Sequence, residues 1–212
     1  MGEYILKRFS ITLILVSASL NVIFNVSNLI QIFVGGLDFL DYYIAMHLRF
    51  GELGIIFGFV GLYVSANDNK TLKNLSLIYM LLGFSKFLLV EYQLVQGYGF
   101  WSVFITGMMA AAIAMLVISK GKQASTALFV KGVALSVASG VYWLALVITS
   151  IISLYQDLNT SQMAVTHTVL PFFYVIFLIG LWVYFYEYYK EVFIYKIKMI
   201  RIQKNEELEK NL

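Results

Sequence analysis

Cysteine is absent from the chain, which excludes a disulfide, a thiolate metal site and a cysteine nucleophile. Charged residues are also scarce: they make up 13% of the 212 residues, whereas 60% are hydrophobic. The mean hydropathy of +0.81 lies well outside the range of soluble proteins. The sequence contains no glycine-rich phosphate loop, nucleophile elbow or HExxH zinc motif, so we predict no catalytic residue. What remains is an integral membrane protein.

Long apolar runs account for most of the chain, and an α-helix needs about 20 such residues to cross a bilayer. The first run continues from Ile11 to Val34, which is too long for the apolar segment of a signal peptide, so we interpret it as a retained helix. We therefore predict an all-α fold, a polytopic membrane helical bundle of six transmembrane helices. The predicted spans cover about residues 11–34, 43–65, 75–96, 101–119, 126–154 and 164–188.

Lysine and arginine are distributed unevenly about these spans. Twelve of the fifteen fall in the terminal segments and in two loops on one side, three lie within spans, and none is left for the opposite side. By the positive-inside rule both termini are cytoplasmic and the protein lies in the cell membrane. Lys131, near the inner end of the fifth span, is expected to reach the headgroups. The tail, residues 190–212, is basic and then acidic, and we predict a cytoplasmic juxtamembrane helix that contacts membrane lipids.

Four charged residues fall inside the second and third predicted spans. A polar turn, residues 66–74, connects these two spans. Glu52 and Lys86 lie about equally far along the chain from the middle of this turn, and so do Arg49 and Glu91. Residues equally far from the turn of an antiparallel helical hairpin lie at equal depth, and charges in lipid need a partner. The sequence therefore predicts two intramembrane ion pairs. They either neutralise each other and fix the register of the hairpin, or they form a proton or ion relay.

A polar stripe follows one side of the first span at helical spacing. Its members are Ser17, Asn21, Asn25, Asn28 and Gln31. Amide groups left without partners in hydrocarbon cost several kcal/mol each, so this side must face protein or water. The stripe predicts either hydrogen bonding that packs helices together or the lining of a cavity.

Glycines recur on one face of the second span, at steps of three, four and three residues. They are Gly51, Gly54, Gly58 and Gly61. Glycines at this spacing allow another surface to approach the helix backbone closely. We expect that surface to be a neighbouring helix, with a flat cofactor as the alternative.

Histidine occurs only twice, as His47 and His167, each close to the predicted outer end of its span. Two imidazoles at similar depth on different helices are typical of the axial ligands of a membrane haem b. Together with Asp41 or Glu91 they could instead hold a divalent metal ion. The bland alternative is that both histidines are hydrogen-bonded packing residues.

Three interpretations of function follow. In the first, the chain is a non-catalytic helical subunit that docks with other membrane protein subunits, or with a second copy, in an assembly such as a haem or quinone redox complex. In the second, it is an ion-coupled transporter or channel that uses the asparagine stripe and the pair Glu52 and Lys86. In the third, it is a haem- or quinone-linked electron carrier. The two halves of the sequence show no inverted repeat. Because the basic residues border a membrane, a nucleic-acid partner is not expected.

Overall fold

A computed structural model describes residues 2–34, 38–67, 69–88, 98–120, 125–155 and 160–195. Side chains are described for residues 2–30, 50–67, 69–88, 100–118, 125–152 and 169–194. Within these ranges the secondary structure is helical and contains no strand, which confirms the predicted all-α class.

Six α-helices follow one another along the described chain. They are α1 (Gly2–Val34), α2 (Asp38–Ser65), α3 (Lys70–Lys86), α4 (Tyr98–Lys120), α5 (Thr126–Tyr155) and α6 (Thr160–Tyr189), and a π-helical segment, Lys190–Tyr195, continues α6. The side chain of Asn69 accepts a hydrogen bond of 3.1 Å from the backbone N–H of Leu72 and so caps α3. Ser125 caps α5 in the same way, through Leu128. The polar turns therefore set where these two helices begin.

Four of the helices contain stretches that are long and apolar enough to cross a bilayer. These stretches are Gly2–Ile30, Phe100–Ile118, Thr126–Ile152 and Val169–Ile194. In α2 the apolar stretch among the described side chains is shorter, Phe50–Ser65. Large apolar side chains such as Met115 and Ile118 point away from the other helices, as suits contact with lipid. The helices thus indicate a membrane protein, while the number of spans stays a prediction.

The helices form a closed ring, because each packs against its neighbours in sequence and α6 packs against α1. Aromatic side chains fill part of the interior. Phe59 of α2 stacks on Tyr79 of α3 with a centroid distance of 4.2 Å, and it meets Phe185 of α6 edge-on at 5.4 Å. Leu178 and Leu181 of α6 are also buried here. Helices that are distant in sequence therefore meet around one common core.

The predicted glycine face of α2 packs against α1. A methyl group added at any of the four glycines would overlap atoms of α1, so the two helices lie in close contact along this face. At Gly58 the obstacle includes backbone, since the carbonyl oxygen of Ser10 would lie 3.0 Å from the added carbon. The nearest side chains to these added methyl groups are, in order from Gly51 to Gly61, those of Asn21, Ser17, Ile14 and Ser10.

The polar stripe of α1 lies in this same interface. Ser17, Asn21 and Asn25 are 5%, 0% and 5% exposed, and the side chain of Asn25 donates a hydrogen bond of 2.8 Å to the carbonyl oxygen of Asn21. Ser10 extends the stripe by two turns and donates to the carbonyl oxygen of Leu6 at 2.7 Å. Of the predicted stripe, Ser17 and Asn21 therefore pack against Gly54 and Gly51, while Asn25 is buried and Asn28 is half-buried. The side chain of Gln31 lies outside the described residues.

Candidate intramembrane binding site

The charged pair at the centre of the bundle joins α2 to α3. Glu52 lies near the middle of α2, and Lys86 is the last residue of α3. The Nζ atom of Lys86 is 3.8 Å from Oε1 of Glu52, which is an ion-pair distance but longer than a hydrogen bond. The two side chains are 17% and 22% exposed. The structure thus brings these two residues together and leaves both carboxylate and ammonium accessible.

A tyrosine from a third helix completes this charged centre. The hydroxyl of Tyr174 on α6 donates a hydrogen bond of 3.0 Å to Oε1 of Glu52. The Nζ atom of Lys86 lies 5.7 Å from the centroid of the same tyrosine ring, within the range of a cation–π interaction. Tyr174 therefore contacts both charges at once. The sequence did not reveal it, because α6 contains many aromatic residues and nothing in its own pattern sets this one apart.

A cavity of about 50 Å³ opens beside the charged centre. Since one water molecule needs about 10–15 Å³, the space is enough for roughly three to five waters. The cavity is bordered by five helices, α2 to α6. Its polar lining consists of Glu52, Tyr79, Lys86, Thr106, Ser139, Tyr142 and Tyr174.

The hydroxyl of Thr106 on α4 sets this cavity apart from ordinary packing. Thr106 is 7% exposed, and among the described side chains its Oγ1 is the buried polar atom that has no hydrogen-bond partner. A buried hydroxyl without a partner is costly, and native proteins satisfy most such groups with protein or water. Because Thr106 lines the cavity, a molecule bound there lies within reach of this hydroxyl.

Aromatic rings form much of the remaining wall. Tyr142 of α5 lies 5.2 Å from Tyr174 and 6.0 Å from Phe177, measured between ring centroids. Tyr79 of α3 is buried and also borders the space. The site therefore combines two opposite charges and several hydroxyls with flat apolar surface.

A second charged cluster lies towards one end of the bundle, where α5 begins and α6 ends. Glu187 of α6 forms ion pairs with Lys131 of α5 and, at 3.4 Å, with Lys190. The carboxylate is 6% exposed, and the two lysine side chains reach outwards. Lys131, which the sequence predicts to reach the headgroups, is partly exposed and also forms an ion pair with Glu187. Close by, Ser125 donates a hydrogen bond to Glu191.

Several predicted site residues have side chains outside the described part of the chain. They are Arg49, Glu91, His47 and His167. The outer ion pair and the haem or metal site therefore stay predictions. Among the side chains that are described, no group of three or more histidine, aspartate or glutamate residues comes together to hold a metal ion.

Comparison with known proteins found no protein family model, no curated protein and no solved structure that matches the chain. The function must therefore be argued from the geometry of the molecule itself.

Proposed function

We propose that the protein is a six-span transporter of the cell membrane, with both termini in the cytoplasm, that binds a small polar solute inside its helix bundle. The observation that carries this proposal is the cavity beside Glu52 and Lys86, with the buried hydroxyl of Thr106 on its wall. Ionisable residues are expensive within a membrane and mark substrate or ion pathways where they face a cavity. An ion pair that only joins two helices does not need a cavity beside it. The cavity beside Glu52 and Lys86 therefore favours a binding site over a purely structural ion pair.

The cavity lies at mid-height of the bundle. Glu52 of α2, Tyr142 of α5 and Tyr174 of α6 are each close to the middle of their helix. Binding sites of membrane transporters typically lie near the midplane of the bilayer. The inward end of the same bundle contains the cluster around Glu187. A solute bound beside Glu52 would have to pass that inner region to reach the cytoplasm.

Docking in a larger assembly, including a redox complex, is less well supported. Its main argument was the glycine face of α2, which would receive a helix of another subunit. That face receives α1 of the same chain instead, with Gly58 against the backbone of Ser10. The described residues offer no specific observation in favour of a second subunit on this surface.

The test is solute uptake by the purified chain in proteoliposomes, measured with a panel of radiolabelled amines, carboxylates, amino acids, sugars and inorganic ions. We expect at least one solute to enter, and we expect Glu52→Gln and Lys86→Met each to reduce its rate at least tenfold. Matched controls are Glu191→Gln and Lys73→Met, which make the same chemical changes outside the cavity lining.

These controls should retain the wild-type rate. Uptake of no solute in the panel, or uptake that is unchanged in both Glu52→Gln and Lys86→Met, would refute the proposal. Elution of each variant as a single peak in gel filtration would show that a reduced rate does not reflect misfolding.

A further inference from the structure

We infer that the solute of this cavity is a small zwitterion, which places an ammonium group at Glu52 and a carboxylate at Lys86. This inference rests on the proposed function, since it names the chemical class that the same site would bind. It is carried by the charges of the lining, the geometry of the pair and the size of the space.

The first argument is charge balance. The described lining contains one carboxylate, Glu52, and one ammonium group, Lys86, so its formal charge is zero. A lone cation or a lone anion would bring an uncompensated charge into a poorly solvated site, which is costly. A zwitterion adds two opposite charges, each of which can meet its counterpart on the wall. The formal charge of the described lining together with the bound solute then stays zero.

The second argument is the geometry of the charged centre. Lys86 and Glu52 stand 3.8 Å apart on different helices, so a ligand can bridge them without first breaking a short hydrogen bond between Nζ and Oε1. Tyr174 holds Oε1 of Glu52 from the α6 side. An ammonium group at Glu52 would also face the rings of Tyr174 and Tyr142, which attract cations.

The third argument concerns the rest of the molecule that binds. The hydroxyl of Thr106 offers a donor to a ligand carboxylate, and the side chains of Ile55, Met109 and Phe177 offer apolar contact. A cavity of about 50 Å³ limits the apolar part to a few carbon atoms. The expected class is therefore a short-chain amino acid or a compound of the same charge pattern and size.

The probe is L-alanine, with binding to the full chain in lipid nanodiscs measured by isothermal titration calorimetry. Ethylammonium lacks the carboxylate of alanine, propanoate lacks its ammonium group, and propanamide is uncharged. We expect alanine to bind at least tenfold more tightly than each of these three. Glu52→Gln and Lys86→Met should each weaken alanine binding at least tenfold, whereas Glu191→Gln should leave it unchanged.

The outcomes separate this inference from the proposed function. If ethylammonium, propanoate or propanamide binds as tightly as alanine and depends on Glu52, the solute is not a zwitterion but the binding site stands. If none of the four probes binds, the inference is overturned, and the uptake panel decides independently whether the protein transports another class of solute. Alanine binding that is insensitive to both Glu52→Gln and Lys86→Met would place alanine elsewhere and also overturn the inference.

Discussion

The interface between α1 and α2 and the cavity between α2 and α6 both contain polar side chains inside an apolar bundle, and adjacent residues of α2 serve the two regions. Gly51 faces Asn21 of α1, whereas Glu52 faces Tyr174 of α6. In the first region the polar group is enclosed, since Asn21 is fully buried. In the second region Glu52 stays partly accessible beside a cavity. Polarity alone therefore does not make a binding site.

The difference comes from the size of the opposing side chains. Glycine presents only backbone, so short side chains such as those of Ser17 and Asn21 fill the gap between α1 and α2 completely. Around Glu52 the opposing groups are long or flat, and Lys86 and Tyr174 meet it without closing the space beside it. Close packing of the first kind stabilises the fold, and imperfect packing of the second kind leaves room for a ligand.

The largest expected effect is on the closed region. Gly58→Ala would push a methyl group against Ile14 and against the carbonyl oxygen of Ser10, and overpacking of this kind costs about 1–3 kcal/mol. We expect a lower apparent Tm, measured by tryptophan fluorescence in detergent. The control is Gly140→Ala on α5, where an added methyl group meets no atom within 4 Å. Equal Tm values for these two variants would mean that α1 and α2 are not in close contact.

A smaller effect is expected at the charged cluster that lacks a role in the proposed site. Glu187→Ala removes the carboxylate between Lys131 and Lys190, and both lysines can turn outwards because they are already partly exposed. We expect a fall in Tm smaller than that of Gly58→Ala and no change in solute affinity. A loss of affinity as large as that of Glu52→Gln would show that the two charged centres are coupled.

Part of this arrangement was predictable from spacing along the chain. Glu52 and Lys86 are each 17 residues from Asn69, and the structure places them together. The same rule would have found the pair of Lys131 and Glu187, which are each 28 residues from residue 159 in the predicted outer loop. The expectation that Lys131 reaches the headgroups does not include this carboxylate partner.

The remainder of the site could not be predicted, because it depends on how the ring of helices closes. Tyr174 reaches Glu52 across 122 positions of sequence, and Thr106 shares their cavity from a fourth helix. The helices α4 and α6 carry apolar residues on all of their faces. Hydrophobic periodicity therefore does not indicate which face turns inwards. The glycine pattern predicted a close helix contact but not that the partner would be α1.

A change at the tyrosine that contacts both charges should weaken solute binding less than Glu52→Gln or Lys86→Met does. Tyr174→Phe removes the hydrogen bond of 3.0 Å to Glu52 but keeps the ring beside Lys86. A hydrogen bond to a charged group contributes about 1.5–3 kcal/mol, and only part of that energy affects a solute bound to Glu52, so we expect solute affinity to fall by roughly 2- to 10-fold in calorimetry. The control is Tyr186→Phe, because Tyr186 is exposed and lies near the C-terminal end of α6. Unchanged affinity in Tyr174→Phe would mean that its hydroxyl does not orient Glu52 for binding.

The smallest effect on the fold, and the most direct test for an occupant of the cavity, is expected at Thr106. Thr106→Val keeps the shape of the side chain and removes a buried hydroxyl that has no partner among the described residues, so Tm should stay the same or rise slightly. Thr149→Val is the contrasting variant, because the hydroxyl of Thr149 donates to the carbonyl oxygen of Ala145 at 2.9 Å. Its Tm should fall slightly. If a bound solute accepts a hydrogen bond from Thr106, Thr106→Val should lower solute affinity and leave the empty protein at least as stable. A loss of stability without a loss of affinity would instead mean that this hydroxyl contributes to packing.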